Sequence, residues 1–322
     1  MEELKERKVV ITGAGAVGST FAYALAQTGI ADTVVLLDQN PELMKGQVLD
    51  LQHGLPFSPP IIIREGSQAD YHDARVIVIT AGAKQQPGES RLNLLRKNIA
   101  ILEHIALDIA AQGSQAVVVV VSNPVDPLTH AVLEKLDWPR GRVIGSGTFL
   151  DSARFRYLLS LHCGIDVHNV HAYIMGEHGD SEFAPWSMAH VAGMPLDQYC
   201  LVCNRCDDLK KEKRQIEDEV RNSAYHIIDY KGSTNFAIGL ALVQIVAAII
   251  RNQHSVLTVS TLLNGEYGIH DVCISIPCIL CESGVERIIE ERLTKEELKA
   301  LVHSANILRK TSEEVHEVSS GK

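Results

Sequence analysis

Basic residues are in the minority in this chain of 322 residues, which contains 30 Lys and Arg against 40 Asp and Glu. The resulting formal net charge of −10 argues against a nucleic acid as the main partner, because phosphate binding requires concentrated positive charge. This balance still allows a local basic site for a small anion.

Long apolar runs are also missing. The most apolar segment, residues 236–250, is too short to span a bilayer and contains Gln244, so it predicts a buried core helix. The N-terminal "MEELKERKVV" is charged and does not resemble a signal peptide. We therefore expect a cytoplasmic protein without membrane contact.

A complete set of metal ligands is not evident either. Cys200, Cys203 and Cys206 form C-x-x-C-x-x-C, and Cys278 and Cys281 form C-x-x-C, spacings that admit a zinc or iron–sulfur site. The first run lacks the fourth cysteine and proline of the bacterial ferredoxin pattern, and the second lies within a predicted strand. We interpret these cysteines as small apolar residues and expect no bound metal.

Apolar strand patterns alternate with helical patterns through the first half of the chain. Uniformly apolar strands such as "AVVVVVSNP" indicate parallel βαβ units with both sheet faces covered. The second half mixes long helices with a strand predicted over "NVHAYIM", a hairpin predicted around "NGEYG" and a capping box predicted from Thr294 to Glu297. We predict an α/β fold, with a Rossmann doubly wound parallel sheet in residues 1–145 and a mixed α/β substrate domain in residues 146–322.

The glycine-rich turn "GAGAVG" follows the first strand and opens a helix, and Asp38 ends the next strand. This context is the dinucleotide fingerprint, in which the glycines allow a tight turn, close approach of the pyrophosphate and close packing of helix on strand. Asp38 can accept from the ribose hydroxyls and would repel a 2′-phosphate, which favours NAD over NADP. The predicted contacts are Gly13, Gly15, Ala16, Val17, Gly18 and Asp38.

The segment "GEHGDS" places His178 between two acidic residues, and "LDSARFR" places Asp151 and Arg154 on one helix face. Imidazole changes charge near neutral pH, so His178 is a candidate proton donor that Asp151 could orient. Arg154 could bind a carboxylate with its guanidinium fork. The alternative for His178 is a surface histidine or a satisfied core histidine, and the alternative for Asp151 and Arg154 is a surface ion pair.

Together with "AGAKQQPGESRLNLLRKN", "VSNPVD", "GTFLDSARFR" and "STNFAIG", these motifs resemble the L-lactate dehydrogenase family over residues 13–239. The resemblance implies reversible reduction of pyruvate to L-lactate by NADH, with the active site between the two domains, in a homotetramer. It also implies the residue roles that follow.

By this resemblance, His178 is the acid/base, Asp151 its orienting carboxylate and Arg154 the anchor of the substrate carboxylate. Arg91 matches an arginine on a mobile loop that closes over the substrate and polarises its carbonyl. From its residues alone, "QQPGES" is typical of a flexible lid, and the alternative is an ordinary solvated loop.

Three further residues match the substrate and nicotinamide pockets of the family. Asn123 matches a residue that helps to hold the substrate oxygen and the nicotinamide, and the bond to Pro124 is expected to be cis. Thr234 matches a pocket hydroxyl, and Ile238 an apolar contact behind the nicotinamide ring. Periodicity alone would assign Ile238 to the core.

Gln85 occupies the position where the related malate dehydrogenases carry an additional arginine for the second carboxylate of oxaloacetate. A neutral glutamine would leave that carboxylate poorly paired, so pyruvate is the expected substrate.

Arg156 and His171 match positions that bind fructose 1,6-bisphosphate as an activator in many bacterial relatives. Relatives without this regulation keep both residues, so the pair leaves activation open. The short N-terminus favours a bacterial type.

Two other classes compete with this interpretation. An NAD-requiring glycoside hydrolase would need a metal at its substrate, where this chain offers arginines. A non-catalytic redox-sensing or cysteine–metal protein would not turn over pyruvate with NADH.

Overall fold

The structure, a computed structural model, describes residues 6–84, 88–203, 205 and 208–319. The strands are β1 (Lys8–Thr12), β2 (Thr33–Leu37), β3 (Ile62–Glu65), β4 (Val76–Ile79), β5 (Val117–Val120), β6 (Val143–Gly145), β7 (Val170–His171), β8 (His190–Val191), β9 (Met194–Pro195), β10 (Ser255–Asn264), β11 (His270–Cys281) and β12 (Gly284–Ile288). The α-helices are α1 (Ala16–Ala26), α2 (Pro41–His53), α3 (Arg91–Ala111), α4 (Val125–Leu136), α5 (Phe149–Cys163), α6 (Leu196–Cys200), α7 (Leu209–Lys231), α8 (Phe236–Ile250) and α9 (Lys295–Ser319).

Nine of these strands form one sheet, in the order β12-β11-β10-β6-β5-β4-β1-β2-β3. From β6 to β3 all neighbours are parallel, which is the doubly wound arrangement. At β6 the sheet continues into the antiparallel strands β10, β11 and β12, and Ser260 pairs with Gly145 at this junction. The predicted α/β fold is confirmed, but one mixed sheet crosses the predicted domain boundary.

The central strands β1, β2, β4 and β5 are buried along their whole length, because helices cover both faces of the sheet. On one face α1 and α8 pack with β-strand residues into one apolar cluster, and on the other α3 and α4 form a second cluster. A third cluster joins α5 and α7 to the small sheet β7-β8-β9. This third cluster includes Ile174 and Ala184, which lie on either side of the segment that carries His178.

Several local predictions are confirmed. The apolar run forms α8, and β10 and β11 form the predicted hairpin around "NGEYG". At the start of α9, the amide of Thr294 donates to the Glu297 carboxylate and the amide of Glu297 donates to the Thr294 hydroxyl. This reciprocal pair is the capping box.

The strand predicted over "NVHAYIM" is largely wrong, because β7 contains only Val170 and His171. Beyond it, Met175 pairs with Phe183 and Gly176 pairs with Ser275 as isolated bridges. Met175 and Gly176 thus pair with two different segments and not with one continuous neighbouring strand. The alternating segment therefore does not continue as a strand beyond β7.

Among the cysteines, Cys163, Cys200, Cys273, Cys278 and Cys281 are buried, as expected for small apolar residues, and Cys203 is half-buried. Cys206 lies outside the described residues. In the described part of the chain no helix is long and apolar enough to cross a membrane.

Candidate active site

The glycine-rich turn lies at the carboxyl ends of β1 and β2. Gly13 has φ +111°, and a Cβ atom there would lie 2.6 Å from the Ala81 amide nitrogen, so this position requires glycine. A Cβ on Gly18 would lie 1.9 Å from the Gly13 carbonyl oxygen. The Asp38 carboxylate accepts from the Ala14 amide at 2.7 Å, which fixes its position beside the turn.

Gly15 differs from these two glycines because no atom lies within 4 Å of the place where its Cβ would be. Gly15 caps α1, and Ala16 and Val17 begin that helix, so amide groups and the positive end of the helix dipole face this open space. The residues therefore fit a dinucleotide, with room for its pyrophosphate.

His178 lies on a segment that is attached to three separate parts of the molecule. The amides and carbonyls of Gly176 and Ser275 on β11 exchange two hydrogen bonds of 3.0 Å. The Glu177 amide donates to the Ser304 hydroxyl on α9 at 2.7 Å, and the His178 amide donates to the Asp126 carboxylate on α4 at 2.8 Å. These attachments fix the backbone of the histidine.

The imidazole of His178 meets Asp151, which lies in the first turn of α5. Nδ1 is 2.6 Å from one Asp151 oxygen, and Nη1 of Arg154 is 2.6 Å from the other. The Asp151 side chain is 3% exposed and that of His178 is 25% exposed, so the carboxylate is buried while part of the ring remains accessible. Because Nδ1 is engaged, Nε2 is the nitrogen that can exchange a proton with a substrate.

Charge within this group favours an imidazolium. Burial acts to lower the pKa of His178, but the Asp151 carboxylate, and after it the charges of Glu182 and Asp126, raise that pKa to about 9. Burial acts to raise the pKa of Asp151, and the opposing charges of His178 and Arg154 lower it overall. At neutral pH the arrangement is a protonated ring on an ionised carboxylate.

The other predicted substrate residues are less closely assembled. Arg91 begins α3 with its side chain 83% exposed, and its nearest acidic partner is Asp180, at 3.8 Å from Nη1. Asn123 is exposed, and its bond to Pro124 is cis, as expected. Thr234 lies in the loop between α7 and α8.

Ile238 is partly buried on α8 and packs against the core, which is compatible with both of its predicted roles. Gln85 lies outside the described residues.

Arg156 and His171 lie away from this group but close to each other. They line one cavity of about 710 Å³, together with His168 and Tyr173. Nε of Arg156 donates to the Val170 carbonyl at 3.0 Å.

Sequence reasoning missed two buried acidic residues, Asp126 and Glu182. Asp126 is 1% exposed and holds the His178 amide, and burial raises its pKa to about 6. Glu182 is 6% exposed, and one of its carboxyl oxygens belongs to a group with Asp151 and His178 whose polar atoms lie within 4.8 Å of one another. Their positions next to "SNPV" and "GEHGDS" were visible in the sequence, but their burial was not.

Comparison with known families covers almost the whole chain. Residues 7–145 match the NAD binding domain of lactate/malate dehydrogenase, and residues 148–319 match the alpha/beta C-terminal domain of the same family. The chain belongs to the lactate/malate dehydrogenase family. The predicted NAD-binding Rossmann domain is thereby confirmed.

Within the lactate/malate dehydrogenase family, the chain is 56% identical over 314 residues to an L-lactate dehydrogenase of Treponema denticola, covering 97% of this chain and 99% of the relative. It is 47% identical over 307 residues to an L-lactate dehydrogenase of Priestia megaterium, covering 95% and 96% of the two chains.

Among solved structures, a lactate dehydrogenase from a Medee basin deep-sea metagenome library is similar with a TM-score of 0.94 and 41% identity, over 97% of this chain and 100% of that one. The minor L-lactate dehydrogenase of Enterococcus mundtii in its ligands-bound form has a TM-score of 0.93 and 39% identity, over 97% and 99%.

Proposed function

We propose that the chain is an NAD-dependent L-lactate dehydrogenase that interconverts pyruvate and L-lactate, with His178 as the acid/base. The observation that carries this proposal is the contact between His178 and the buried carboxylate of Asp151, in a chain whose first half is an NAD-binding domain. The high identity to L-lactate dehydrogenases supports it over nearly the full length.

NADH, when bound at the glycine-rich turn, supplies the hydride. His178 donates the Nε2 proton to the carbonyl oxygen of pyruvate as that oxygen gains charge, and Asp151 stabilises the imidazolium and holds the ring. Arg154 uses one nitrogen for Asp151 and has other donors left for the pyruvate carboxylate. In the reverse direction neutral His178 accepts the hydroxyl proton of lactate.

Arg91, the first residue of α3, and Gln85, six residues earlier in the sequence, complete the proposed site. The exposed Arg91 side chain is free to approach the substrate carbonyl, since its ion pair with Asp180 is long and solvated. Gln85 is proposed to favour pyruvate over oxaloacetate because it carries no charge for a second carboxylate. Asn123, Thr234 and Ile238 are proposed contacts of the substrate and nicotinamide.

The test is NADH oxidation by the purified protein with pyruvate or oxaloacetate, compared with the variant His178→Asn. We expect kcat/KM to be higher with pyruvate, and to fall on the order of 10²- to 10⁴-fold in the variant, since a positioned proton donor contributes that much. Circular dichroism and NADH binding control for folding. A variant that reduces pyruvate at the original rate would exclude His178 as the donor.

We further propose that this chain forms a homotetramer and is located in the cytoplasm. In this tetramer, Arg156 and His171 form an anion-binding site. Two cationic or ionisable side chains that line one cavity suit a sugar bisphosphate. Rates at low pyruvate concentration, with and without fructose 1,6-bisphosphate, test the regulatory part. Activation that disappears in Arg156→Gln supports it, and equal rates in both conditions refute it.

A further inference from the structure

Glu182 is a buried acid with an unusual set of neighbours. It follows the turn at Gly179 and precedes Phe183, which pairs with Met175. Its carboxyl group accepts no hydrogen bond from another described residue, and only its backbone carbonyl accepts one, from Nη2 of Arg221 at 3.4 Å. A carboxyl group in such surroundings disfavours its own ionised form.

Three proton-binding groups meet at this point. One carboxyl oxygen of Glu182, one of Asp151 and one ring nitrogen of His178 lie within 4.8 Å of one another. The charged groups that face Glu182 are Asp151 and Arg154 from α5, His178 from the preceding segment and Arg221 from α7. Asp126 from α4 also faces His178.

A metal site is the first alternative for two carboxylates and an imidazole. However, the two Asp151 oxygens are each 2.6 Å from a nitrogen, one of His178 and one of the Arg154 guanidinium. A divalent cation at this group would have to displace or adjoin the positive charges of Arg154 and Arg221. The surroundings therefore favour a proton-holding group.

The charge state of Glu182 follows from the same surroundings. Burial, and next the negative charge of Asp151, raise the pKa of Glu182 to about 9, although His178, Arg154 and Arg221 act in the opposite direction. Glu182 is thus a neutral acid at pH 7. It titrates over the same range as His178, so loss of a proton from one group changes the affinity of the other.

We propose that Glu182 is a positioning residue that keeps His178 protonated in alkaline solution, because its ionisation places a second negative charge beside the imidazolium. The inference rests on the acid/base role proposed for His178. Pyruvate reduction needs the protonated ring and lactate oxidation needs the neutral one. Glu182 consequently extends pyruvate reduction to higher pH and raises the pH at which lactate oxidation begins.

The variant Glu182→Gln tests this, because the carboxamide has nearly the same shape and stays neutral at every pH. We expect the alkaline limb of kcat/KM for pyruvate and the acidic limb for lactate to move together to lower pH. The shift should be roughly one pH unit, the lower end of what a charge about 4–6 Å away produces. At pH 7, kcat/KM for pyruvate should change less than about threefold, since Glu182 is already neutral there.

Glu217→Gln is the matched control. Glu217 is a half-buried glutamate on α7 whose pKa is also raised by burial, but its partner is the Trp186 indole. Its replacement should leave both pH limbs in place. Glu182→Asp keeps an ionisable carboxyl group, so its pH limbs should shift less than those of Glu182→Gln. It replaces Glu182→Gln as the test variant if the latter is unstable.

Titration of the His178 ring by NMR in the unliganded protein separates this inference from the proposed function. A lower ring pKa in Glu182→Gln, with shifted limbs, supports both. A lower ring pKa with unshifted limbs supports the coupling and counts against His178 as acid/base. Reduced rates at all pH values with an unchanged ring titration would reduce Glu182 to a structural role. Near-stoichiometric metal in the purified protein that is lost in Glu182→Gln would replace the inference by a metal site.

Discussion

The proposed nucleotide site and the proposed catalytic group of His178, Asp151 and Arg154 are built in opposite ways. The nucleotide site uses backbone: glycines close in sequence, one helix end, and Asp38 bound to the Ala14 amide. The catalytic group uses side chains from distant segments, since Asp151 and His178 are 27 residues apart and Asp126 and His178 are 52 apart. A site made of local backbone tolerates few residue types, whereas a site made of converging side chains depends on the fold that brings them together.

The largest expected effect comes from Asp151→Asn, which removes the negative charge that His178 and Arg154 both contact. Asp151 raises the pKa of His178, so its loss should lower that pKa from about 9 toward or below the ordinary value of 6.5. We expect kcat/KM for pyruvate to fall on the order of 10²-fold or more at pH 7.5, and its alkaline limb to move to lower pH.

A pH profile with stopped-flow NADH oxidation measures both effects of Asp151→Asn. Unchanged NADH binding is the control, because the nucleotide site does not include this carboxylate. A loss of rate without a shifted limb would assign Asp151 a purely orienting role.

A smaller effect is expected from two alanine substitutions in the glycine-rich turn of the nucleotide site, at Gly18 and Gly15. Gly18→Ala places Cβ 1.9 Å from the Gly13 carbonyl oxygen and should destabilise the fold by about 1–3 kcal/mol, as overpacking does. Gly15→Ala meets no atom within 4 Å, so its melting temperature should stay near that of the unchanged protein. NADH affinity should nevertheless fall about tenfold or more, because the added methyl group occupies the space left for the pyrophosphate.

Thermal unfolding and NADH titration of the two glycine variants check this pair. If Gly15→Ala bound NADH as tightly as the unchanged protein, the open space beside Gly15 would not be the pyrophosphate position.

The same contrast explains which parts could be predicted from sequence. The glycines, α8, the β10–β11 hairpin and the capping box at Thr294 depend on neighbouring residues, and they were predicted. The strand over residues 169–175 was overestimated because its pairing is divided between β8, which pairs with Val170 and His171, and Phe183, which pairs with Met175. This division follows from tertiary structure.

The candidate site was predicted as far as the family resemblance reached. His178, Asp151 and Arg154 do meet, as their motifs suggested. Glu182 and Asp126 were not foreseen, because a sequence in which 40 residues are acidic does not reveal which carboxyl groups are buried.

The junction of β6 and β10 has a consequence for dividing the protein. Because Gly145 pairs with Ser260 across it, the antiparallel strands complete the edge that the parallel strands would otherwise expose. A fragment ending after residue 145 would present β6 to solvent, and the complementary fragment would present β10, each as a template for self-association. The two halves are thus better treated as one cooperative folding unit than as separable parts for engineering.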